Sequence, residues 1–213
     1  MTQAPAPPSS RDLPFGVVAM AASLGGLAVL GRVLGGLPAD FPLPVLVAQH
    51  LAEGAPRRTA EVLARRARLS VRWAAESEPL RGGTVYLAPP GRHLRLRADG
   101  ACALCDGPPV QHARPAADPL FASVAETYGE RAVGVVLTGK GEDAARGAGA
   151  IRRAGGVVIV QDPATCLAAA MPRAVLATGG ADFVLPPEHV TRALVSLVMV
   201  PGAPALFGLS RVA

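Results

Sequence analysis

Apolar residues along this chain cluster in short runs, some continuous and some alternating with polar residues, separated by stretches in which they recur every three or four positions. The runs at 16–20, 44–49 and 70–73 read as strands, and the periodic stretches at 24–35 and 57–68 between them read as helices. Strand and helix in alternation predict a parallel sheet. Runs at 84–88, 93–97 and 101–104 then follow one another with no helix between them, and Ala98-Asp99-Gly100 supplies turn chemistry, so this part predicts an antiparallel hairpin. The alternation resumes with helices at 119–128, 144–153, 171–177 and 187–198 and strands at 133–137, 157–161 and 183–185. The predicted fold is therefore α/β and doubly wound (Rossmann-like): a mostly parallel sheet flanked by helices, with an antiparallel hairpin insertion.

Residues 1–13 are rich in proline and alanine and carry no periodicity, which predicts a disordered lead-in. A single domain is expected over 14–199 and a tail over 200–213. The apolar segment 15–31 is broken by Gly25-Gly26 just after Ser23 and closed by Arg32. A buried strand, a turn and an amphipathic helix explain it better than a membrane span or a leader peptide.

In doubly wound sheets, ligands bind beyond the carboxyl ends of the strands, so polar residues that follow strands are the candidates for chemistry. Ser23, His50 and Asp143 stand in such places. Together they offer a nucleophile, a base to take its proton and a carboxylate to orient the base, the division of labour of a serine hydrolase. Their chain order, Ser–His–Asp, is not that of the chymotrypsin, subtilisin or α/β-hydrolase arrangements. Ser23 also precedes a glycine pair that opens a helix, where free N–H groups can hold an oxyanion. The same placement suits a serine that merely caps the helix, and the sequence does not separate the two readings.

Composition narrows the function. The net charge is +5, but aromatic residues are only 4% and no basic run exceeds two residues, which argues against nucleic acid as the partner. A mild positive field suits an acidic protein surface instead. Of the 21 basic residues, Lys140 is the one lysine. At 213 residues the chain can bury a core without staples, and its 3 cysteines, an odd number with no secretory signal, point to a reducing cytoplasm.

Two rival motifs fail. The stretch from Gly134 to Gly141 imitates a phosphate-binding loop, but residue 141 is not Ser or Thr and Gly134 lies inside an apolar strand. Cys102 and Cys105 form a lone C-x-x-C with no second pair to complete a zinc site, although His93 and His112 lie nearby.

Several blocks in order resemble the catalytic domain of the protein-glutamate methylesterase (CheB) family, over about residues 15–198. They are Ala22-Ser23-Leu24-Gly25-Gly26, Ala48-Gln49-His50, Val85-Tyr86-Leu87-Ala88-Pro89, Gly91-Arg92-His93, Arg114-Pro115, Asp118-Pro119-Leu120-Phe121, Leu137-Thr138-Gly139 with Gly141 and Asp143, and Met171-Pro172. The resemblance implies a hydrolase that removes methyl esters from glutamates of methylated receptor proteins, with glutamine deamidation in related members, and it calls for no cofactor or metal. It makes Ser23 the nucleophile, His50 the base and then acid, and Asp143 the orienter. The amides of Leu24 and Lys140 become the oxyanion donors.

The chain departs from the family pattern at Ala21 for Gly, Leu24 for Thr, Lys140 for Met and Ala144 for Gly. Those departures leave a second expectation open, a catalytically degenerate domain that binds partners without turnover. Family members usually carry an N-terminal receiver domain, and the fourteen or so residues before the fold lead to the expectation of a stand-alone form.

Overall fold

A computed structural model describes residues 13–52, 58–200 and 202–203. Apart from residue 13, the expected lead-in lies outside the described residues, and so does most of the expected tail. Leu13 is buried against the core.

The strands are β1 (Val17–Ala22), β2 (Val45–Gln49), β3 (Ser70–Trp73), β4 (Thr84–Leu87), β5 (His93–Leu96), β6 (Cys102–Cys105), β7 (Ala132–Val136), β8 (Val157–Gln161) and β9 (Phe183–Leu185). The helices are α1 (Gly26–Gly36), α2 (Arg58–Ala64), α3 (Ala117–Tyr128), α4 (Ala145–Arg153), α5 (Ala170–Ala177) and α6 (Pro187–Met199). Seven strands form one parallel sheet in the order β3-β4-β2-β1-β7-β8-β9, while β5 and β6 pair antiparallel as a separate ribbon.

The central strands β1, β2, β7 and β8 are buried along their whole length, as near-continuous apolar runs must be when helices cover both faces of a sheet. Their side chains alternate between two cores. Val18, Met20 and Ala22 face the layer built from α1, α2 and α6, and Val17, Ala19 and Ala21 face the layer built from α3, α4, α5 and the ribbon. Edge strand β3, covered less completely, is half-exposed.

The fold places the candidate site through its topology. From β1 the chain moves outward to β2, β3 and β4, then returns to the other side of β1 with β7. The carboxyl ends of β2, β1 and β7 therefore frame a switch point, where loops on either side diverge and leave a crevice.

Candidate active site

Ser23 follows the last residue of β1 and is fixed by backbone bonds on both sides. Its N–H donates to the Thr138 carbonyl at 3.0 Å, and its own carbonyl accepts from Gly26 N–H at 2.9 Å. Gly25 turns the chain into α1 with a φ of 79°, a left-handed conformation that costs a glycine nothing. The helix N-cap is Gly25 and no side chain caps it, so Ser23 does not serve as a cap. Its hydroxyl takes no hydrogen bond among the described residues. Gly139 packs against Ser23 from the β7 side, where a Cβ would stand 2.8 Å from Ser23 Cβ.

His50 follows β2, and its N–H donates to the Ala22 carbonyl at 2.9 Å, which ties it to the residue before Ser23. Its Nε2 lies 2.6 Å from Asp143 Oδ2. Asp143 sits farther from its strand than the sequence suggests, seven residues past the end of β7 at Val136 and just ahead of α4. Only 1% of it is exposed. Its Oδ2 also accepts from Ala117 N–H at 2.5 Å, and Oδ1 accepts from Asp118 N–H and Ala144 N–H, both at 2.9 Å.

Two of those donors belong to the first turn of α3, where N–H groups have no partner within the helix and the helix dipole favours negative charge. Burial would push the Asp143 carboxyl up, but the His50 hydrogen bond and the Ala117 and Asp118 N–H groups outweigh it and hold the carboxyl below its ordinary value. An ionised carboxylate can only accept, so Nε2 of His50 carries the proton and Nδ1 is left as the basic nitrogen of the ring.

Ser23 and His50 line two cavities that meet between them. One, of about 610 Å³, runs between α1 and α2 past Leu24, Leu27, Gln49, Val62 and Arg66. The other, of about 500 Å³, is bordered by Lys140, Gly141 and the segment from Pro109 to Arg114.

The backbone N–H groups of Leu24 and Lys140 take no hydrogen bond among the described residues. The Leu24 backbone is nonetheless held on both sides: the Ser23 carbonyl, in the same peptide plane as Leu24 N–H, accepts from Gly26 N–H at 2.9 Å, and the Leu24 carbonyl accepts from Thr138 Oγ1 at 3.0 Å. Thr138 Oγ1 also accepts from Ala168 N–H at 2.9 Å and lies 3.2 Å from the Ala168 carbonyl, so its one proton is shared between the Leu24 and Ala168 carbonyls. These contacts are made by backbone and by Thr138, so the side chains at 24 and 140 are free to differ from the family pattern, and both are exposed. Of the other two departures, Ala21 is buried in β1, and Ala144 keeps a left-handed φ of 75° that glycine would adopt without strain.

Three residues that sequence reasoning left without a role support this arrangement. One is Thr138. Another is Gln49, whose buried amide donates to the Ser23 carbonyl at 3.0 Å and the His50 carbonyl at 3.1 Å, clamping the ends of β1 and β2 together. Its place directly before His50 was the available signal. Gln49→Leu should cost about 1–3 kcal/mol of stability by leaving the His50 carbonyl short of a donor, which thermal denaturation would show.

The third is Asp118. Its Oδ1 accepts from Gly147 N–H in the first turn of α4 at 2.8 Å, while its backbone N–H serves Asp143. The carboxylate before α4 thus caps α3, and the one inside α3 caps α4. Among the described residues Asp118 Oδ2 is buried without a partner, and burial pushes its carboxyl up, with Asp143 adding to the rise. A carboxyl raised by folding stabilises the fold below its unfolded pKa, and that contribution is lost as pH rises through the folded value. Asp118→Asn should therefore gain stability relative to the parent chain as pH goes from about 4 to about 7, a trend that melting curves at both ends would reveal.

The rival motifs have ordinary places. Gly134 lies within β7. Cys102 and Cys105 stand at opposite ends of β6, one buried and one exposed, and burial pushes the Cys102 thiol up to about 12. Among the described residues no group of three His, Cys, Asp or Glu side chains could hold a metal ion, and no helix is long and apolar enough to cross a membrane.

Comparison with known proteins gives consistent matches. The family model described as CheB methylesterase matches residues 18–194. Protein-glutamate methylesterase/protein-glutamine glutaminase 2 of Anaeromyxobacter dehalogenans (strain 2CP-C) is 48% identical over 178 residues, which cover 84% of this chain and 52% of the relative. Protein-glutamate methylesterase FrzG of Myxococcus xanthus is 39% identical over 200 residues, covering 92% of this chain and 60% of FrzG. The chain spans about half the length of the curated relatives it matches. The crystal structure of the Thermotoga maritima CheB methylesterase catalytic domain superimposes with a TM-score of 0.83 at 35% identity, covering 86% of this chain and 99% of that one. With the matched segment running through the whole sheet and both sides of the crevice, the chain belongs to the CheB methylesterase family.

Proposed function

We propose that this chain is a carboxylic ester hydrolase acting on methyl-esterified glutamate side chains of receptor proteins, with Ser23, His50 and Asp143 as its catalytic triad. The observation that carries the reading is the 2.6 Å bond between His50 Nε2 and a buried, ionised Asp143, at a crevice that Ser23 shares with His50. The names of the relatives support the substrate class.

The chemistry then runs in two halves. Ser23 Oγ attacks the ester carbonyl carbon as His50 Nδ1 takes its proton, and the carbonyl oxygen becomes an oxyanion facing the N–H groups of Leu24 and Lys140. Collapse breaks the bond to methoxide, which leaves as methanol with the proton from His50, and Ser23 is acylated. Water then attacks the acyl carbon while His50 accepts its proton. The acyl–Oγ bond breaks and the proton returns to Ser23, freeing the glutamate side chain. Asp143 stays ionised throughout and stabilises the imidazolium formed in each half. An amide ammonia can leave by the same route, which extends the proposal to glutamine deamidation, an activity named for the Anaeromyxobacter relative. A cytoplasmic setting suits this reading, because the substrate side chains would lie on the cytoplasmic part of a receptor.

Lys140, exposed beside Ser23, adds a cation at the crevice. Lys140→Met keeps the backbone N–H and removes the charge, so it should weaken binding of an acidic ester substrate about threefold to tenfold at low salt. The difference should fade as salt rises, and hydrolysis of a small neutral ester should be affected far less. Steady-state kinetics on the two substrates across a salt series is the measurement. Equal kinetics on the acidic substrate at low salt would show that the ammonium has no part in recognition.

A further inference from the structure

Between β6 and α3 the chain makes a hairpin with a loop of only two residues. Val110 and Ala113 exchange both backbone bonds, at 3.0 and 2.9 Å, and the loop residues Gln111 and His112 take φ values of 49° and 62°. Positive φ at both central positions is the type I′ pattern, which Asn-Gly adopts readily and which side chains such as glutamine strain to reach. Both side chains are exposed, and neither makes a hydrogen bond or ion pair among the described residues. Among the described residues, no hydrogen bond or ion pair of these side chains offsets the strain.

Both residues line the cavity that Ser23, His50 and Lys140 share. Among the described residues lining it there are an ammonium, a guanidinium and two imidazoles, from Lys140, Arg114, His50 and His112, and no carboxylate. Strain kept at a functional edge, with its side chains unspent, is the usual sign that those side chains act on a ligand.

We infer that the Gln111–His112 turn is a specificity-determining edge of the site, holding a carboxylate-bearing stretch of the polypeptide substrate beside the target ester. The inference rests on the hydrolase reading above and names the part of the substrate that this wall of the crevice takes. Gln111 can both donate to and accept from a peptide backbone, and His112 can donate to an acidic side chain with Lys140 nearby. A side chain on a rigid two-residue turn also loses less freedom on binding than one on a long loop.

The test uses the full chain carrying Ser23→Ala, so that binding is read without turnover. The probe is a synthetic peptide with one γ-methyl glutamate flanked by free glutamates, and its control carries glutamines at the flanking positions. Gln111→Asn with His112→Gly installs the favoured turn, draws the amide back by one carbon and removes the imidazole. It should raise the thermal midpoint by about 3 °C or more while weakening the acidic peptide at least about fivefold. Gln111→Glu, which keeps the chain length and adds a negative charge, should weaken the acidic peptide and leave the glutamine control within about twofold. A higher midpoint with unchanged affinity would overturn the inference, and so would an unchanged or lower midpoint. Failure of the parent chain to release methanol would count against the hydrolase reading and leave this binding result standing on its own.

Discussion

Replacing Ser23 by alanine is expected to lower the turnover of an ester substrate by at least about 10⁴-fold while moving the thermal midpoint by no more than a few degrees. The asymmetry follows from what Ser23 does in the fold. Its structural bonds are all made by the backbone, to Thr138, Gly26 and Gln49, and alanine keeps them. Among the described residues the hydroxyl has no partner to lose, and the helix that follows is capped at Gly25 without a side chain. Removing Oγ therefore takes away the atom that would become acylated and little else. Kinetics beside a melting curve tests both parts, and near-parental turnover in the variant would remove Ser23 as the nucleophile.

Asp143→Asn should be costly in both respects. The two oxygens of Asp143 accept four hydrogen bonds, from His50, Ala117, Asp118 and Ala144. An asparagine oxygen can serve only one side, and the amide at the other position presents N–H groups to donors. With the amide toward His50, the imidazole moves its proton to Nδ1 and loses the lone pair that would accept from Ser23; the expected loss in kcat is about 10²–10⁴-fold. With either orientation a buried N–H goes unpaired, and the fold loses about 2–4 kcal/mol.

The pH dependence of that penalty has a definite sign. Folding lowers the Asp143 pKa, so its contribution to stability is complete above the unfolded value and is lost as pH falls through the folded one. The difference in stability between the parent and Asp143→Asn should thus be largest near neutral pH and shrink in acid. A penalty that stayed constant with pH would mean that ionised Asp143 contributes nothing to the fold.

Much of the fold was legible because the central strands are buried on both faces, and β8 begins and ends where its apolar run does. The edge strands β3 and β9 are only partly buried, yet their bounds also match the expected ones. Helix starts were less legible, and the reason is local. The periodic pattern of α1 reaches back to Leu24, but left-handed Gly25 delays the helix to Gly26. At α3 the opposite happens. The helix begins at Ala117, before the proline at 119 that reads as its start, because a carboxylate 26 residues away in sequence takes its first free N–H group.

The candidate residues were legible as polar positions after strands, helped by resemblance to a family. What holds them was not. Asp143 lies well beyond β7, and the exchange of caps between Asp118 and Asp143 joins residues 29 and 25 apart. No periodicity encodes such pairs. Gln49 reads as the last residue of an apolar run, and only the parallel pairing of β1 with β2 puts its amide against both Ser23 and His50. The positive φ values at Gln111 and His112 are equally invisible, since the pair lacks the Asn-Gly or Asp-Gly signature of such a turn.

The proposed reaction cleaves methyl esters of glutamate through Ser23. Its most direct measurement is methanol released when the purified chain is incubated with a receptor fragment methylated on its glutamates, with the Ser23→Ala protein in parallel. Methanol is expected in proportion to the methyl groups present, with a new carboxylate on the fragment for each molecule released, and none from the variant. No methanol from the parent chain, or equal amounts from both proteins, would contradict it.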